Sequence, residues 1–214
     1  MTEPKKIYTI GHSNVPNTFF LELLQKFNIN CIADVRSTPY SRYVTQFNQD
    51  ELKNFLRKNG IRYVFMGKEF GARREDKSLY HPEGYLDFEK TSQCALFKQG
   101  MDRIGKGIQD GFNIALMCSE KNAIDCHRSI LVGRNFYRVG FEVSNITHDG
   151  ENESQKQIEG QLVDLYFPKR LEISLFSDDL NSEPQNYEDM ILEGYKRRNV
   201  DIGYRMDEKE VSYM

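Results

Sequence analysis

Short apolar runs alternate with helical repeats along the first 150 residues. Ile7–Ile10 is a strand-like run that breaks at Gly11-His12-Ser13-Asn14. Phe20, Leu23, Leu24 and Phe27 then recur at the spacing of one helix face, after start signals at Pro16 and Asn17. Ile29–Val35 predicts a second strand. Asn48 with Glu51 has the form of a capping box ahead of Leu52, Phe55 and Leu56, and Gly60 supplies a stop. Ile61–Met66 predicts a third strand. The polar stretch Gly67–Lys90 reads as a long lid or binding loop. Phe97, Met101, Ile104 and Ile108 mark a further helix, Asn113–Met117 a fourth strand, and Glu142–Thr147 a fifth. Between the last two, Asp125 is placed to cap a helix ending near Arg138, before Gly140.

Strands joined by helices of crossover length predict an α/β fold: a mainly parallel five-stranded sheet, Rossmann-like, with helices on both faces. The order 3-2-1-4-5 is expected, with a crevice between strands 1 and 4. That arrangement would set the Gly11–Asn14 loop beside Cys118–Glu120, with the Asp34–Arg42 loop alongside. Residues 1–150 are expected to form the domain. Residues 151–214 are read as an acidic C-terminal extension packed on the domain or on a partner. Within it, Gln161–Phe167 suggests a helix or docking strip, and residues 177–214 show little periodicity.

Charge sharpens this division. The net charge of −3 over 214 residues is uneven. Residues 1–150 hold 21 Lys+Arg against 17 Asp+Glu, and residues 151–214 hold 8 against 15. The mild positive balance of the first part suits an anionic ligand but falls far short of a nucleic-acid signature. No apolar run reaches the ~18 residues of a membrane span. The first apolar run is too short for a signal-peptide core, so a cytoplasmic protein with reduced thiols is expected. Cys31 and Cys94 fall on strand and helix patterns and read as core filler.

The chemistry concentrates in LMCSEKNAIDCHRSI, Leu116–Ile130. Cys118, Ser119 and Glu120 end a strand, and Cys126, His127 and Arg128 open a helical segment. A thiol at a helix start gains from orphan N–H groups and can ionise readily. Cys126 and Cys118 therefore read as nucleophile, redox thiol, metal ligand or packing. His127, His12 and Glu120 are the candidates for moving protons. Arg128 reads as an anion clamp. Ser13 lies on a turn able to present N–H groups to an anion. Asp34, Arg36, Ser37, Ser41 and Arg42 cluster after strand 2 as candidate substrate contacts, and Tyr40, Tyr43 and Phe47 could stack on a base. Arg73 and Arg74 sit on the expected lid. Neither a dinucleotide fingerprint nor a P-loop is present. The spacing C-x7-C-H matches no common zinc knuckle or ribbon, and neighbouring helical residues such as Cys126 and His127 should point apart. No metal site and no cofactor are therefore assigned, a divalent ion being the lesser alternative.

Taken together, IYTIGHSN (Ile7–Asn14), IADVRSTPYSR (Ile32–Arg42), the Phe47 and Leu52 region, Gly60-Ile61-Arg62-Tyr63, LMCSEKNAIDCHRSIL (Leu116–Leu131) and Thr147-His148-Asp149-Gly150 resemble domain-of-unknown-function family 488. The resemblance spans about residues 5–150. It departs after strand 3, where Met66-Gly67-Lys68 stands in place of the family's Leu-Gly-Gly. It implies an α/β fold and no settled activity.

Three functions remain open. The first is an enzyme acting on a phosphorylated or otherwise anionic substrate, nucleotide or nucleic-acid related, at the carboxyl ends of the strands. The second is a non-catalytic sensor of a ligand, metal or oxidant. The third is a nucleic-acid-binding protein.

Overall fold

The computed structural model describes residues 5–168 and 186–206. Its strands are β1 (Lys6–Gly11), β2 (Cys31–Asp34), β3 (Arg62–Phe65), β4 (Ile114–Cys118), β5 (Glu142–Ile146) and β6 (Asn152–Ser154). Its α-helices are α1 (Asn17–Lys26), α2 (Gln49–Lys58), α3 (Gly67–Phe70), α4 (Phe88–Gln93), α5 (Ala95–Gln109), α6 (Arg134–Arg138), α7 (Gln155–Tyr166) and α8 (Tyr187–Ile202).

The fold is α/β with a mostly parallel sheet, but the sheet has six strands rather than five, in the order β3-β2-β4-β1-β5-β6. Among the described residues only β6 runs antiparallel, on the edge beyond β5. Its sequence, Asn-Glu-Ser, carries no apolar alternation, so periodicity could not announce it. The expected 3-2-1-4-5 order is also corrected, because β4 lies between β2 and β1. Every residue of β4, Ile-Ala-Leu-Met-Cys, is buried and suits a strand covered on both faces. β1, with Lys6 and a half-buried Tyr8, shares the middle of the sheet, between β4 and β5.

Two apolar layers cover the sheet. On one face α1 and α2 bring Phe20, Leu23, Leu24, Leu52 and Leu56 onto Ile10, Ile32, Ala115 and Met117. On the other, Phe70, Phe97, Ile104, Phe136, Ile158, Leu162 and Tyr195 meet Ile7, Ala33, Leu116 and Val143. Each large side chain buried this way contributes about 1.5–3 kcal/mol relative to exposure. The chain therefore leaves β1 and β2 toward one face and β4 toward the other. A crevice must open over the carboxyl end of β4 on each side.

Local expectations are also corrected. Residues 67–90 are not a structureless lid: α3, a 3-10 turn at Lys77–Leu79 and the start of α4 lie there, with a bridge between Tyr80 and Leu86. Asn48 stands at the start of α2, but its side chain accepts the Ser41 N–H at 2.7 Å instead of capping. Asp125 does not cap a helix either; it pairs with Arg198. The helical path begins instead as a buried π-helical run, Arg128–Gly133, that passes into α6. The weakly periodic tail contains the sixteen-residue α8, while residues 177–185 and 207–214 lie outside the described residues. Among the described residues no helix is long and apolar enough to cross a membrane.

Candidate functional site

The expected meeting of the first and fourth strand ends is present. Gly11 and Cys118 are register partners. The His12 N–H donates to the Cys118 carbonyl and the Ser13 N–H to that of Ser119, both at 2.9 Å. A side chain at position 11 would put its Cβ 1.8 Å from the Glu120 carbonyl oxygen, so the two chains can approach this closely only through glycine.

The reactive cleft, however, lies between the ends of β2 and β4, not between β1 and β4. It holds about 270 Å³, and Cys118, Glu120, Cys126 and His127 share it with Arg36, Ser37, Arg73, Ser119 and Tyr204. A larger hollow of about 610 Å³ lies across the 119–125 loop, beside Lys121, Ile146 and His148, but gathers no comparable reactive cluster.

Within the cleft, one ligating atom from each of Cys118, Glu120, Cys126 and His127 lies within 4.8 Å of the others. His127 Nδ1 is 3.8 Å from both sulfurs, and Nε2 is 3.1 Å from the Val35 carbonyl. With Nε2–H donating to that carbonyl, Nδ1 is left facing the thiols. The expected divergence of Cys126 and His127 is thus corrected. They sit in the irregular turn ahead of the π-helical run, where regular helical angles between neighbours do not apply.

The electrostatics follow from this proximity. Burial raises the Cys118 thiol well above its usual range, and the neighbouring Cys126 adds to the rise. Burial also opposes ionisation of Cys126, yet the Cys118 hydrogen bond and the charges of Arg128 and His127 hold it well below the thiol range. His127 is raised: burial works against its charge, and Cys126 outweighs burial. Burial, and then the charge on Cys126, raise Glu120, whose Oε2 lies 2.9 Å from Cys126 Sγ, close enough to share a proton. The result is an ionisable thiol–imidazole pair with a carboxylate at its open side.

Several expected ligand contacts have other work. Arg128 is 0% exposed, and its Nη1 and Nη2 donate to the carbonyls of Glu120 (2.7 Å) and Lys121 (3.1 Å). It secures the loop that carries Glu120 and is no open anion clamp. Asp34 is fully buried and accepts from Arg36 and from the Tyr63 hydroxyl. Arg36 gives Nε and Nη2 to Asp34 and Nη2 also to the Phe47 carbonyl, and its Nη1 meets His12 Nε2 at 3.1 Å. One Nη1 hydrogen of Arg36 meets no acceptor among the described residues. His12 is buried, stacks on Phe47 and donates from Nδ1 to the Ser13 carbonyl at 2.7 Å. Burial and then the Arg36 charge lower its pKa to about 4, so it stays neutral and does not reach the cleft.

Ser13, Ser41 and Arg42 also lie outside the cleft lining. The Ser41 hydroxyl accepts from the Tyr43 N–H, and Tyr43 is 96% exposed on the same loop. Ser37 does line the cleft, where its hydroxyl accepts the Arg73 N–H at 2.8 Å. Arg73 is the cation that sequence reasoning undervalued. Its guanidinium stacks 4.8 Å from the Tyr204 ring and faces the same cleft. Tyr204 and Ile202 went unnoticed because nothing in the tail's pattern ties them to a site that begins near residue 34.

No curated protein and no solved structure gives a significant match to the chain. The model of the family described as "Domain of unknown function DUF488" matches residues 17–134, more than half of the chain. That stretch includes β2, β4 and all four residues of the reactive cluster, and the chain therefore belongs to this family.

Proposed function

We propose that the protein is an enzyme acting on a small anionic substrate in the cleft between β2 and β4. One observation carries this reading: four reactive groups crowd one side of a cleft whose other side presents the Arg73 guanidinium and the remaining Arg36 hydrogen. Titratable groups with shifted ionisation gathered in a cleft at a switch point are a mark of reaction sites. The volume of about 270 Å³ lies just below the ~300 Å³ at which ligand pockets begin. It suits a phosphate- or carboxylate-bearing end better than a whole dinucleotide. In this reading Arg73, Ser37 and Arg36 hold the anion, Glu120 exchanges the proton, and the buried thiol–imidazole group beneath supports the reacting bond.

The test is thermal unfolding against a panel of nucleotides, phosphosugars and small carboxylates. A ligand at a hundred times its Kd adds about 2.7 kcal/mol of stability by mass action. At least one compound should raise the Tm of the wild type, lose its effect in Arg73→Ala, and be turned over by the wild type but not by Glu120→Gln. A silent panel, or a stabilising compound that ignores Arg73→Ala, overturns the proposal.

A further inference from the structure

We infer that Cys118, Cys126 and His127 hold a zinc-class divalent cation, with Glu120 on the fourth, cleft-facing position. The inference deepens the reading of the cleft given above and rests on the same residues, but it can be measured without any substrate.

Distance is the first argument. With its proton on Nε2, His127 turns the lone pair of Nδ1 toward both sulfurs, 3.8 Å from each, too far for a tight hydrogen bond to either. Around a tetrahedral zinc, with bonds of about 2.3 Å to sulfur and about 2.0 Å to nitrogen, neighbouring ligand atoms lie roughly 3.5–3.8 Å apart. The two sulfur-to-nitrogen distances reach that spacing and all four ligand atoms fall within 4.8 Å of one another, while Glu120 Oε2, 2.9 Å from Cys126 Sγ, would draw back to take the fourth position. The cation would sit between the groups rather than on any one of them.

The surroundings of the ligands are the second argument. A metal-binding imidazole usually donates its far N–H to a carbonyl or carboxylate, which fixes the tautomer and aims the near nitrogen. His127 Nε2 has that partner in the Val35 carbonyl at 3.1 Å. The Arg128 backbone N–H points at Cys126 Sγ from 3.5 Å, as befits a thiolate that shares its charge with a cation.

Charge balance is the third. Two thiolates and a carboxylate carry three negative charges. A divalent ion supplies two positive charges and the fully buried Arg128 guanidinium beside them a third. Without the ion the cluster must hold extra protons, as in the Cys126–Glu120 hydrogen bond. The donor set also chooses among metals. Two sulfurs and an imidazole suit zinc, whereas magnesium and calcium take oxygen ligands. Cys118 and Cys126 are buried but Glu120 is exposed, so the carboxylate is the ligand that solvent or substrate could displace.

The full-length protein, purified without chelator, should carry about one zinc per chain by elemental analysis. After cobalt replacement it should show the strong near-ultraviolet band of sulfur-to-cobalt charge transfer. Cys118→Ala, Cys126→Ala and His127→Ala should each lower the metal content at least tenfold. Cys31→Ser and Cys94→Ser should leave it unchanged, and Glu120→Gln should weaken retention by about 10–100-fold in affinity while preserving the sulfur band. Because stoichiometry and spectrum are read on the wild type, a variant that fails to fold does not decide the matter. Wild-type protein that stays below about a tenth of an equivalent after dialysis against zinc, or a cobalt form without the sulfur band, overturns the inference. Bound zinc with a silent ligand panel would instead remove the catalytic reading alone, and turnover without metal would remove the metal alone.

Discussion

His12 shows how a residue can be conspicuous in sequence and still be held away from the chemistry. Its ring is 1% exposed, and its pKa falls from the ordinary 6.5 to about 4. Above pH 6.5 both folded and unfolded chains leave it neutral. Between pH 6.5 and 4 the unfolded chain takes up the proton first, so stability falls with pH across that window, by ~3 kcal/mol in all. His12→Gln, which keeps an acceptor toward Arg36, should lack this component. Urea midpoints of the two proteins should therefore converge, or cross, as pH drops from 7 toward 4, and parallel curves would refute the assignment. Gly11 makes the complementary point. Gly11→Ala forces its Cβ onto the Glu120 carbonyl and should cost at least ~1–3 kcal/mol, roughly 2–4 °C of Tm per kcal/mol for a chain of this size. An unchanged Tm would mean that the 119–121 loop can retreat freely. At this scale the sequence revealed which residues gather, since the thiols, Glu120 and His127 do meet. It could not reveal that Arg128, Arg36 and Asp34 are already occupied by carbonyls and by one another. A guanidinium looks the same in sequence whether it faces a ligand or a backbone.

Among the elements, α8 has the most direct hold on the site. Arg198 Nε donates to the Ile124 carbonyl at 3.0 Å, and its Nη2 pairs with Asp125. Both partners lie on the loop between Glu120 and Cys126. Arg198→Ala should free that loop. Hydrogen exchange at residues 121–126 should quicken by about tenfold or more, the signature of local opening rather than global unfolding, while the strands keep their protection. Equal protection in both proteins would show that the latch is idle. Long amphipathic helices such as α1, α2 and α5 were legible from spacing alone. The short elements α3, α4 and β6 were not, because three to six residues carry too little period to stand out. A helical segment ending at Arg138 was legible, but its π-helical form was not, because its residues are buried all round and no stripe marks their register.

For the molecule as a whole, the α/β class and the largely parallel sheet followed from alternation of strand and helix, and the order of strands did not. Both β1 and β4 are short apolar runs that take the two middle places of the sheet, so nothing in their pattern says which of them neighbours β2. The exchange of β1 and β4 moved the reactive cleft to the β2 side and left the larger hollow on the β1–β5 side. The acidic bias after residue 150 suggested a separate kind of segment. In the structure β6 extends the sheet, and α7 and α8 pack against each other and contribute Leu162 and Tyr195 to the core.

The cleft walls come from widely separated stretches of chain. Arg36 and Ser37 are made early, Cys118 to His127 midway, and Ile202 and Tyr204 long afterwards. The Leu86 N–H waits for the Tyr204 carbonyl at 2.9 Å, and the Glu120 loop waits for Arg198. All six strands of the described sheet are made by Ser154, when the cleft still lacks a side. Cys118 and Cys126 thus share a cleft whose last wall, Ile202 and Tyr204, is the last part of it to be made.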